Sequence, residues 1–522
     1  MIDFFADKLR DPRIKSFPAE IEKIKGRGFY HNGNEFVHHA NLHQNETAFL
    51  RLVWKQKIVL ISILLVLYLS LIVDWQATII FLIALLIALY VINLFFDLFL
   101  IYCSYAKASE IQISDAEIKK VRESDWPSYT IFCPLYKESN VVPQFIQAMN
   151  GLDYPQKKLQ ILIILEEDDT QTQKDIAQLQ LPSNFQVVIV PQSLPKTKPK
   201  ALNYALRFAT GTYVVIYDAE DIPEPQQLKK TVIAFEKSDE KVVCIQAKLN
   251  FYNPRHNTLT RVFTAEYSLW FDLVLTGLQA INAPIPLGGT SNHFRKVELH
   301  ALRGWDSFNV TEDCDLGMRL VKQGYKTAII NSTTHEEANS DLRNWFGQRS
   351  RWIKGYIQTY LVHMRRPQEF MRTWKDPHLL TFQLVVGGKV LCMFVNPMLW
   401  IITISYFAFR PFLGEKIESF FPTAILYPAV FCTVVGNFLY FYYYMIGCAK
   451  RGYYDVIKYG LFVPLYWLMM SVATWKAVID VFIRPHHWFK TKHGLHLDDH
   501  PKLAQKLMLP KNIVPSIKYA EI

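Results

Sequence analysis

Long stretches without a charged side chain lie on both sides of a normally charged middle section in this 522-residue chain. Near the N-terminus, Ile58–Val73 and Ala77–Phe96 carry no charge, and only Asp74, Trp75 and Gln76 separate them. Each run is close to the ~20 residues that cross a bilayer as a helix. Neither run shows the amphipathic period of a helix on a soluble core. The sequence therefore predicts a tight transmembrane hairpin.

Hydrophobic runs resume in the C-terminal third of the chain. Leu379–Phe409 contains a single charge, Lys389, whereas Phe420–Ala449 and Tyr459–Trp475 contain none. These runs predict a second membrane block behind the charged middle section.

Composition narrows the class of protein further. Half of the residues are hydrophobic and only 20% are charged, which excludes a disordered chain and argues against an ordinary cytosolic enzyme. The net charge of +10 is spread along the chain, so it indicates a cytoplasmic membrane surface rather than nucleic acid. The seven cysteines form no Cys-x-x-Cys pair, which fits neither a zinc module nor a secreted disulfide framework.

The distribution of basic residues predicts the orientation. The turn at 74–76 has no Lys or Arg, whereas basic residues precede and follow the hairpin and recur in the tail. The N-terminus, the middle domain and the tail are thus all expected in the cytoplasm. Three later crossings would place the tail outside, so either Leu379–Phe409 holds more than one pass or one run is interfacial or re-entrant. The basic residues are Lys8, Arg10, Arg13, Lys15, Lys107, Lys119, Lys120, Arg122, Arg484, Lys490, Lys492, Lys502 and Lys506.

Five segments result from this reasoning. They are a cytoplasmic N-terminal segment (1–56), a transmembrane hairpin (57–103), a cytoplasmic domain (104–377), a C-terminal transmembrane block (378–484) and a cytoplasmic tail (485–522).

The middle domain alternates short β-rich runs with helical stretches such as Lys200–Ala209 and Gln226–Glu236. This alternation is typical of a largely parallel sheet with helices on both faces. The predicted strands are Tyr129–Pro134, Gln160–Leu165, Gln186–Val190, Thr212–Tyr217, Val242–Ala247 and Lys326–Ile330.

Carboxylates follow two of these strands directly. The second strand leads into Glu166–Asp169, and the fourth into Asp218-Ala219-Glu220-Asp221. Either cluster alone is typical of a solvated acidic loop. Because ligands of open α/β sheets bind beyond the carboxyl ends of strands, the two together predict a Mg²⁺- or Mn²⁺-dependent phosphate site. Lys198 and Lys200 open the intervening helix, where two ammonium groups would attract a diphosphate.

Two later helices carry further candidates. Thr311-Glu312-Asp313 begins one helix, and Thr311 suits its N-cap position. The segment Gln348–Trp352, with the sequence Gln-Arg-Ser-Arg-Trp, lies on a helix near 344–364 with aromatic residues toward one side. That pattern predicts an amphipathic helix at the membrane interface, which does not exclude a catalytic edge.

These segments, in this order, resemble the processive family 2 glycosyltransferases, the inverting membrane synthases related to cellulose and hyaluronan synthases. The resemblance covers about residues 129–352 closely and the membrane segments in outline. It implies an α/β nucleotide-diphospho-sugar glycosyltransferase domain, Rossmann-like with a largely parallel sheet, inserted between α-helical transmembrane segments.

The resemblance also assigns the donor side of the site. It implies that Tyr136 and Glu138 flank the nucleotide, and that Lys198 lies near the diphosphate. A carboxylate reads the uracil edge, but Glu-Glu-Asp-Asp replaces the family's Asp-Asp-Gly, so Glu167 and Asp168 both remain candidates. Mg²⁺ or Mn²⁺ binds Asp218 together with Glu220, which replaces an Asp, and Asp221 is the alternative ligand.

On the acceptor side, the resemblance implies that Asp313, after Thr311 and Glu312, is the catalytic base. Gln348, Arg351 and Trp352 hold the diphosphate and stack the acceptor sugar. The tail residues Trp488, Lys490 and Thr491 resemble a gating segment that closes over bound nucleotide. The segment Leu287–His293 lines the acceptor site or forms an ordinary turn.

The function implied is an inverting, processive glycosyltransferase of the bacterial inner membrane. It would polymerise a UDP-sugar, UDP-glucose first among them, into a β-linked polysaccharide and secrete it through its own channel. The alternative acceptor is a membrane lipid that receives one sugar. A third hypothesis, prompted by Glu220, is a transporter, channel or phage-receptor-like protein with a degenerate transferase domain. The implied partners are the UDP-sugar, the polysaccharide or lipid acceptor and the bilayer, but no nucleic acid; export partners in the envelope and a homo-oligomer stay open.

Overall fold

The computed structural model describes residues 42, 44–107, 109–179, 181–192, 195–371 and 376–491. Most of the predicted N-terminal segment and the tail beyond Thr491 lie outside the described residues. The same holds for Lys8, Arg10, Arg13, Lys15, Lys492, Lys502 and Lys506, on which part of the predicted orientation rested.

An eight-stranded mixed sheet forms the centre of the middle domain, with the strand order β3-β2-β1-β4-β7-β6-β8-β5. Strands β1 to β4 pair in parallel, as do β6 and β8, whereas β7 runs antiparallel between β4 and β6. The largely parallel sheet expected from the sequence is confirmed. The strands are β1 Tyr129–Leu135, β2 Leu159–Glu166, β3 Phe185–Val190, β4 Tyr213–Ile216, β5 Ile222–Pro223, β6 Val242–Phe251, β7 Asn292–Arg295 and β8 Lys326–Glu336.

The first strands are buried on both faces because helices cover the sheet from both sides. Every residue of β1 except Pro134 is buried, and so is every residue of β2 except Gln160. Doubly covered parallel strands need continuous apolar runs, which is the pattern that made them readable in the sequence. The helices of this domain are α2 Asp115–Lys120, α3 Val142–Asn150, α4 Thr170–Ala177, α5 Lys198–Ala205, α6 Gln227–Lys237, α7 Thr258–Leu269, α8 Leu275–Ala280, α9 Lys296–Ala301, α10 Glu312–Lys322 and α11 Leu342–His363.

Four helices in the described part of the chain are long and apolar enough to cross a membrane. They are α1 Trp54–Ala106, α12 His378–Ala408, α14 Thr423–Lys450 and α15 Ile457–Ile483, and the short helix α13 Arg410–Glu418 joins α12 to α14. Many of their large apolar side chains, and most of those in α1, are exposed on the outer surface, as a lipid environment requires.

The long helix α1 breaks at Asp74, whose backbone is not helical (φ −154°, ψ 92°). The Asp74 carboxylate accepts a hydrogen bond from the Ala77 amide (2.9 Å), which caps the second arm. Before the break, the Gln56 side chain bonds the Leu361 carbonyl (2.7 Å); after it, Lys107 bonds the Ala280 carbonyl (3.0 Å). Both ends of α1 therefore contact the middle domain, and the break lies at the predicted turn.

Contacts with the domain also define the course of the later helices. His378, at the start of α12, lies 3.0 Å from the Asn282 carbonyl, and Lys450, at the end of α14, bonds the Asp272 carbonyl (2.9 Å). The connection between them lies at the opposite end, where Phe420 packs against Trp75 beside the α1 break (5.9 Å). Helices α12 and α14 thus lead away from the domain and back to it.

Helix α15 follows a different course, because the domain binds the chain at both of its ends. Arg255 forms an ion pair with Asp455 just before the helix (2.6 Å), and Lys354 bonds the Arg484 carbonyl just after it (3.2 Å). Between these points α15 packs along α11, where Tyr466 meets Trp345 (5.2 Å). This apolar helix begins and ends on the domain side.

Candidate active site

A cavity of about 1060 Å³ begins at the carboxyl ends of β1, β2 and β4 and continues between the membrane helices. At the domain end its wall includes the residues predicted to carry the chemistry. At the other end it reaches Trp400, Thr403 and Phe421 in α12 and at the start of α14. The predicted site residues on its wall are Tyr136, Glu138, Lys198, Asp218, Glu220, Thr311, Glu312, Asp313, Gln348, Arg351, Trp352, Trp488, Lys490 and Thr491.

Lys198 is the central cation at the domain end of the cavity. It starts α5 just after β3, and its ammonium group pairs with Asp218 and donates to the Gly289 carbonyl (2.9 Å). Burial alone lowers the pKa of Lys198, but the carboxylates of Asp218 and Glu312 outweigh burial and raise it. The side chain is therefore fixed as a cation where an anionic group could enter.

Of the three carboxylates after β4, two face the cavity and one is buried in the protein. Asp218 and Glu220 lie on the cavity wall. Asp221 is fully buried behind them, where it accepts hydrogen bonds from the Asp218 amide (2.7 Å) and from the Thr290 hydroxyl. Burial raises the pKa of Asp221 well above its usual value. This geometry favours Glu220 over Asp221 as the second ligand beside Asp218.

Two carboxylates are a sparse ligand set, and no group of three or more metal-ligating side chains exists among the described residues. Mg²⁺ is commonly held by one or two carboxylates together with substrate phosphates, so Asp218 and Glu220 fit an ion that arrives with a nucleotide.

The side chains of the acidic cluster after β2 bind different partners. Asp168 accepts from the Tyr136 hydroxyl (3.3 Å) and pairs with Lys196, whereas Glu167 accepts from the Gln192 amide (2.8 Å). The contact with Tyr136 favours Asp168 of the two predicted candidates. Its pKa is lowered, since the bonds to Lys196 and Tyr136 outweigh partial burial. Neither carboxylate lies on the cavity wall.

The expectation that Lys200 joins Lys198 at a diphosphate is wrong. Lys200 is buried and forms an ion pair with Glu166 (2.6 Å), and only Glu166 of this pair reaches the cavity wall. Residues two apart on a helix face in nearly opposite directions, so the two lysines of this motif cannot share one ligand. Glu166 belonged to the predicted acidic cluster but was given no individual role, whereas Lys196, in the basic run before Lys198, was missed.

Glu312 and Asp313 occupy the first turn of α10 beside the cavity. Burial raises the pKa of both carboxyls, and repulsion from Asp313 adds to the rise at Glu312. Lys198 and Arg351 oppose the rise. A carboxylate with a raised pKa in reach of a cavity is suited to accept a proton.

Thr311 occupies the N-cap position of α10, but the predicted side-chain cap is wrong: its hydroxyl caps no amide, and among the described residues it has no hydrogen-bond partner. Instead it packs against Gly355 of α11. A Cβ at Gly355 would lie 2.2 Å from the Thr311 hydroxyl. The glycine therefore allows α11 to approach the first turn of α10 closely.

Helix α11 brings Gln348, Arg351 and Trp352 to the cavity. The amide oxygen of Gln348 and Nε of Arg351 are buried and have no hydrogen-bond partner within the described chain. Burial lowers the pKa of Arg351, although Glu312 and Asp313 act in the opposite direction. Buried polar atoms without partners are costly, so these atoms mark a place where a polar ligand would be accommodated.

The predicted gating segment, Trp488–Thr491, covers the same site. Arg351 lies over the Trp488 ring (4.4 Å), and Phe489 fills the space beside Gly347, where a Cβ would lie 2.0 Å from the Phe489 ring. Lys490 donates to the Lys137 carbonyl (2.8 Å) and lies 3.5 Å from Glu138. Through these contacts the segment joins the β1 loop to α11.

A strap before α1 supports the beginning of the gating segment. Thr47 and Ala48 both bond the buried Asp306 carboxylate (2.6 Å each), and Phe49 stacks on His486 (6.2 Å). Nothing in the sequence pattern indicated this contact, because the partners are separated by more than 250 positions.

Arg349 is a further residue that sequence reasoning missed. It is buried among aromatic rings, including Phe263 (4.3 Å) and Trp352 (4.8 Å), and it forms a two-bond pair with Glu266. Tyr466 of α15 donates to the same carboxylate (2.6 Å). The pair orients Trp352 and connects α7, α11 and α15. The first arginine of the Gln-Arg-Ser-Arg-Trp sequence was the available signal.

The segment Leu287–His293 lies partly on the cavity wall and partly in β7, and its role at the acceptor site stays a prediction. Leu287, Gly288, Gly289 and Thr290 lie on the cavity wall, and Asn292 begins β7. The Gly288 amide is fixed by the Gln246 side chain (2.8 Å).

Comparison with known proteins supports the predicted family. Residues 127–355 match the family model described as "Glycosyltransferase like family 2". A probable glycosyltransferase, YdaM, of Bacillus subtilis is 26% identical over 246 residues, which cover 46% of this chain and 58% of that protein. The cellulose synthase 1 catalytic subunit (UDP-forming) of Komagataeibacter xylinus is 25% identical over 244 residues, covering 46% of this chain and 32% of that protein.

Cellulose synthase 2 of Novacetimonas hansenii is 27% identical over 241 residues, covering 45% of this chain and 15% of that protein. The chain thus spans less than two thirds of the length of each of these relatives. Among solved structures, a mannosyltransferase from Pyrobaculum calidifontis in complex with GDP-Man and Mn²⁺ aligns with a TM-score of 0.45 and 17% identity, over 76% of this chain and 98% of that one. The predicted resemblance and the fold class are confirmed by the family match and the sheet.

Proposed function

Because residues 127–355 form a family 2 glycosyltransferase domain, we propose that this protein is an inverting, processive synthase. It extends a β-linked polysaccharide from a UDP-sugar, UDP-glucose first among the candidates, and secretes the chain through its own membrane helices. The observation that carries the proposal is the single cavity that joins Lys198, Asp218 and Asp313 to the space between α1, α12 and α14.

The proposed mechanism is one displacement at the anomeric carbon. The acceptor hydroxyl oxygen forms the new bond to this carbon, the bond from carbon to phosphate oxygen breaks, and UDP leaves with that electron pair. Asp313 accepts the acceptor proton, which its buried carboxylate is placed to do. Attack opposite the leaving group inverts the sugar, and no covalent sugar–protein intermediate is needed.

Charge on the departing diphosphate is neutralised from two sides. Lys198 lies on one wall and Arg351, with its unpartnered Nε, lies on the other. Asp218 and Glu220 would hold a Mg²⁺ or Mn²⁺ ion, which supplies further charge neutralisation when bound. Trp352 offers its ring to the acceptor sugar, and the gating segment excludes water from the site.

The proposed topology has four membrane crossings: two arms of α1, then α12 and α14. Helix α15 lies at the interface, which is the alternative of an interfacial run left open by the sequence. Its support is the pair of domain contacts at Asp455 and Arg484. An even number of crossings keeps the N-terminus, the domain and the tail on one side, the cytoplasm of a bacterial inner membrane.

The test is a donor panel with the purified full-length protein in detergent. With Mg²⁺ or Mn²⁺, UDP-glucose is expected to release UDP and give a polymer, and EDTA is expected to abolish UDP release. Product length by mass spectrometry separates the synthase from the alternative that adds one sugar to a lipid. Absence of UDP release from every nucleotide sugar, and of metal-dependent UDP binding by titration calorimetry, would favour the degenerate-domain hypothesis.

A further inference from the structure

Where the cavity runs between the membrane helices, the charged side chains on its described wall form an ion pair. Asp97 of α1 lies 3.3 Å from Lys389 of α12, and Tyr440 of α14 donates a hydrogen bond to the other Asp97 oxygen (3.0 Å). All three side chains lie on the cavity wall. Three different helices therefore contribute to one polar contact across the passage.

The three residues lie at the same depth. Asp97 is nine residues before the domain end of α1, Lys389 is eleven after the domain end of α12, and Tyr440 is ten before the domain end of α14. At 1.5 Å per residue these separations are about 15 Å. On the other side, Asp97 is 23 residues, or about 35 Å, from the break at Asp74, which exceeds the ~30 Å hydrocarbon core, so the contact lies near the domain-side boundary of the membrane.

Asp97 and Lys389 form an ion pair that lacks the geometry of a hydrogen bond. Asp97 is only 5% exposed, and its Oδ1 has no hydrogen-bond partner among the described residues, although Lys389 is near. Lys389 also lies over the Trp270 ring at 5.0 Å. Charged side chains within membrane helices are costly and are usually retained for function. Turns of π-helix directly precede Lys389 and lie at 432–436, close before Tyr440, and such turns are frequent at functional sites.

The rest of the wall indicates the chemical class of the ligand. Among the described residues of α1, α12 and α14 on the wall, only Asp97 and Lys389 are charged, and their charges cancel. The other polar wall residues there are amides and hydroxyls, with aromatic rings between them. They are Tyr90, Asn93, Asn396, Thr403, Thr433, Asn437, Tyr440, Tyr443 and Tyr444. This wall suits the hydroxyls of a neutral sugar and offers no excess cation for a uronic acid.

We infer that Asp97, Lys389 and Tyr440 form a saccharide-binding constriction at the domain-side entrance of the passage between the membrane helices, closed by the ion pair when empty and occupied by an uncharged glycan during synthesis. The inference rests on the proposed function, because it requires a chain in the cavity. Hydroxyl groups of the glycan replace the contact between the two charges, and the restored contact prevents ion flow once the chain has left.

The first experiment measures proton flux through substrate-free proteoliposomes that contain the full-length protein. Asp97→Asn and Lys389→Gln each leave one charge unpaired. An unpaired charge retains water in the passage, so flux is expected to rise about tenfold. The swap Asp97→Lys with Lys389→Asp rebuilds the pair and is expected to restore low flux. Leu391→Ala, at a partly exposed position on the same helix, is the control.

The second experiment measures binding of two oligosaccharides of equal length by titration calorimetry. A neutral gluco-oligosaccharide is expected to bind the native protein, and about tenfold more weakly to Asp97→Asn. A uronic-acid oligosaccharide is expected not to bind. Native flux in both single variants, or equal binding of the two oligosaccharides, would overturn the constriction.

Failure of the proposed function and failure of the constriction give different results in these experiments. If the native protein makes no polymer from any donor, the synthase proposal fails, whereas the flux of the charge variants still tests the constriction. If the polymer forms normally and its length is unchanged in both single variants, the constriction fails and the synthase proposal stands.

Discussion

The two ends of the cavity differ in charge more than in any other property. The domain end concentrates Lys198, Asp218, Glu312, Asp313 and Arg351 in one buried space. At the membrane end, the described wall residues of α1, α12 and α14 include one ion pair. Breaking a sugar–phosphate bond requires fixed charges, because they stabilise the leaving diphosphate without reorganisation. Moving a neutral polymer requires their absence, because each unpaired charge would hold water or bind the chain.

The comparison predicts that substitutions at the domain end stop chemistry, and the largest effect is expected at Asp313. Asp313→Asn removes the proton acceptor and keeps the shape, so kcat should fall by about 10²–10⁴-fold, the usual contribution of a general base. The measurement is UDP release at saturating donor. Asp115→Asn, also in the first turn of a helix but exposed, is the control. Near-native turnover of Asp313→Asn would remove this residue from the base role.

Arg351→Lys tests whether charge alone is sufficient at the diphosphate. Lys keeps the positive charge but loses the planar fork that holds phosphate oxygens, so kcat/KM should fall by about 10²-fold. Arg366→Lys, in the exposed turn after α11, should behave as the native protein. Equal kinetics for both variants would show that Arg351 does not contact the diphosphate.

The predicted gating segment lies over the charged end, and the packing of Phe489 beside Gly347 is its apolar contact with α11. Phe489→Ala empties the space beside Gly347 and favours the open arrangement. The apparent Kd for UDP should then rise about tenfold, in proportion to the lost closed population. The measurement is titration calorimetry with UDP and Mn²⁺. An unchanged Kd would mean that the segment contributes nothing to nucleotide retention.

The pH dependence gives the smallest and most specific effect. The base acts only when ionised, so activity is lost as the pH falls through the Asp313 pKa. Because burial raises this pKa, the acidic limb of kcat should lie above the value of about 3.9 for an ordinary Asp. Arg351→Gln removes a cation that lowers the pKa, so the limb should move to higher pH. A limb that stays in place would assign it to another group.

How much of the site could be predicted depends on which residues are neighbours in the sequence. The strands β1, β2 and β3 were predicted because helices cover them on both faces, which demands unbroken apolar runs. The strands β5 and β7 were missed: Ile222–Pro223 has two residues, and Asn292–Arg295 is polar apart from Phe294. Their pairing is decided by distant strands rather than by their own composition.

The motifs named the correct segments but could not choose among adjacent side chains. Lys198 and Lys200 carry the same charge in one motif, yet helix geometry directs one to the cavity and the other to Glu166. Asp221 is as acidic as Glu220, but the turn after β4 buries it against Thr290. These outcomes depend on rotation about the chain, which a one-dimensional pattern does not contain.

The sequence by itself determined the class of this protein: membrane helices on both sides of an α/β transferase domain, with its acidic clusters at strand ends. Hydrophobic length and strand burial are local properties, so local composition records them. Only the tertiary structure decided that α15 returns to the domain and that Asp97, Lys389 and Tyr440 meet at one depth. An apolar helix has the same composition whether it crosses a membrane or lies against a domain. Contacts between distant segments form only when the chain packs.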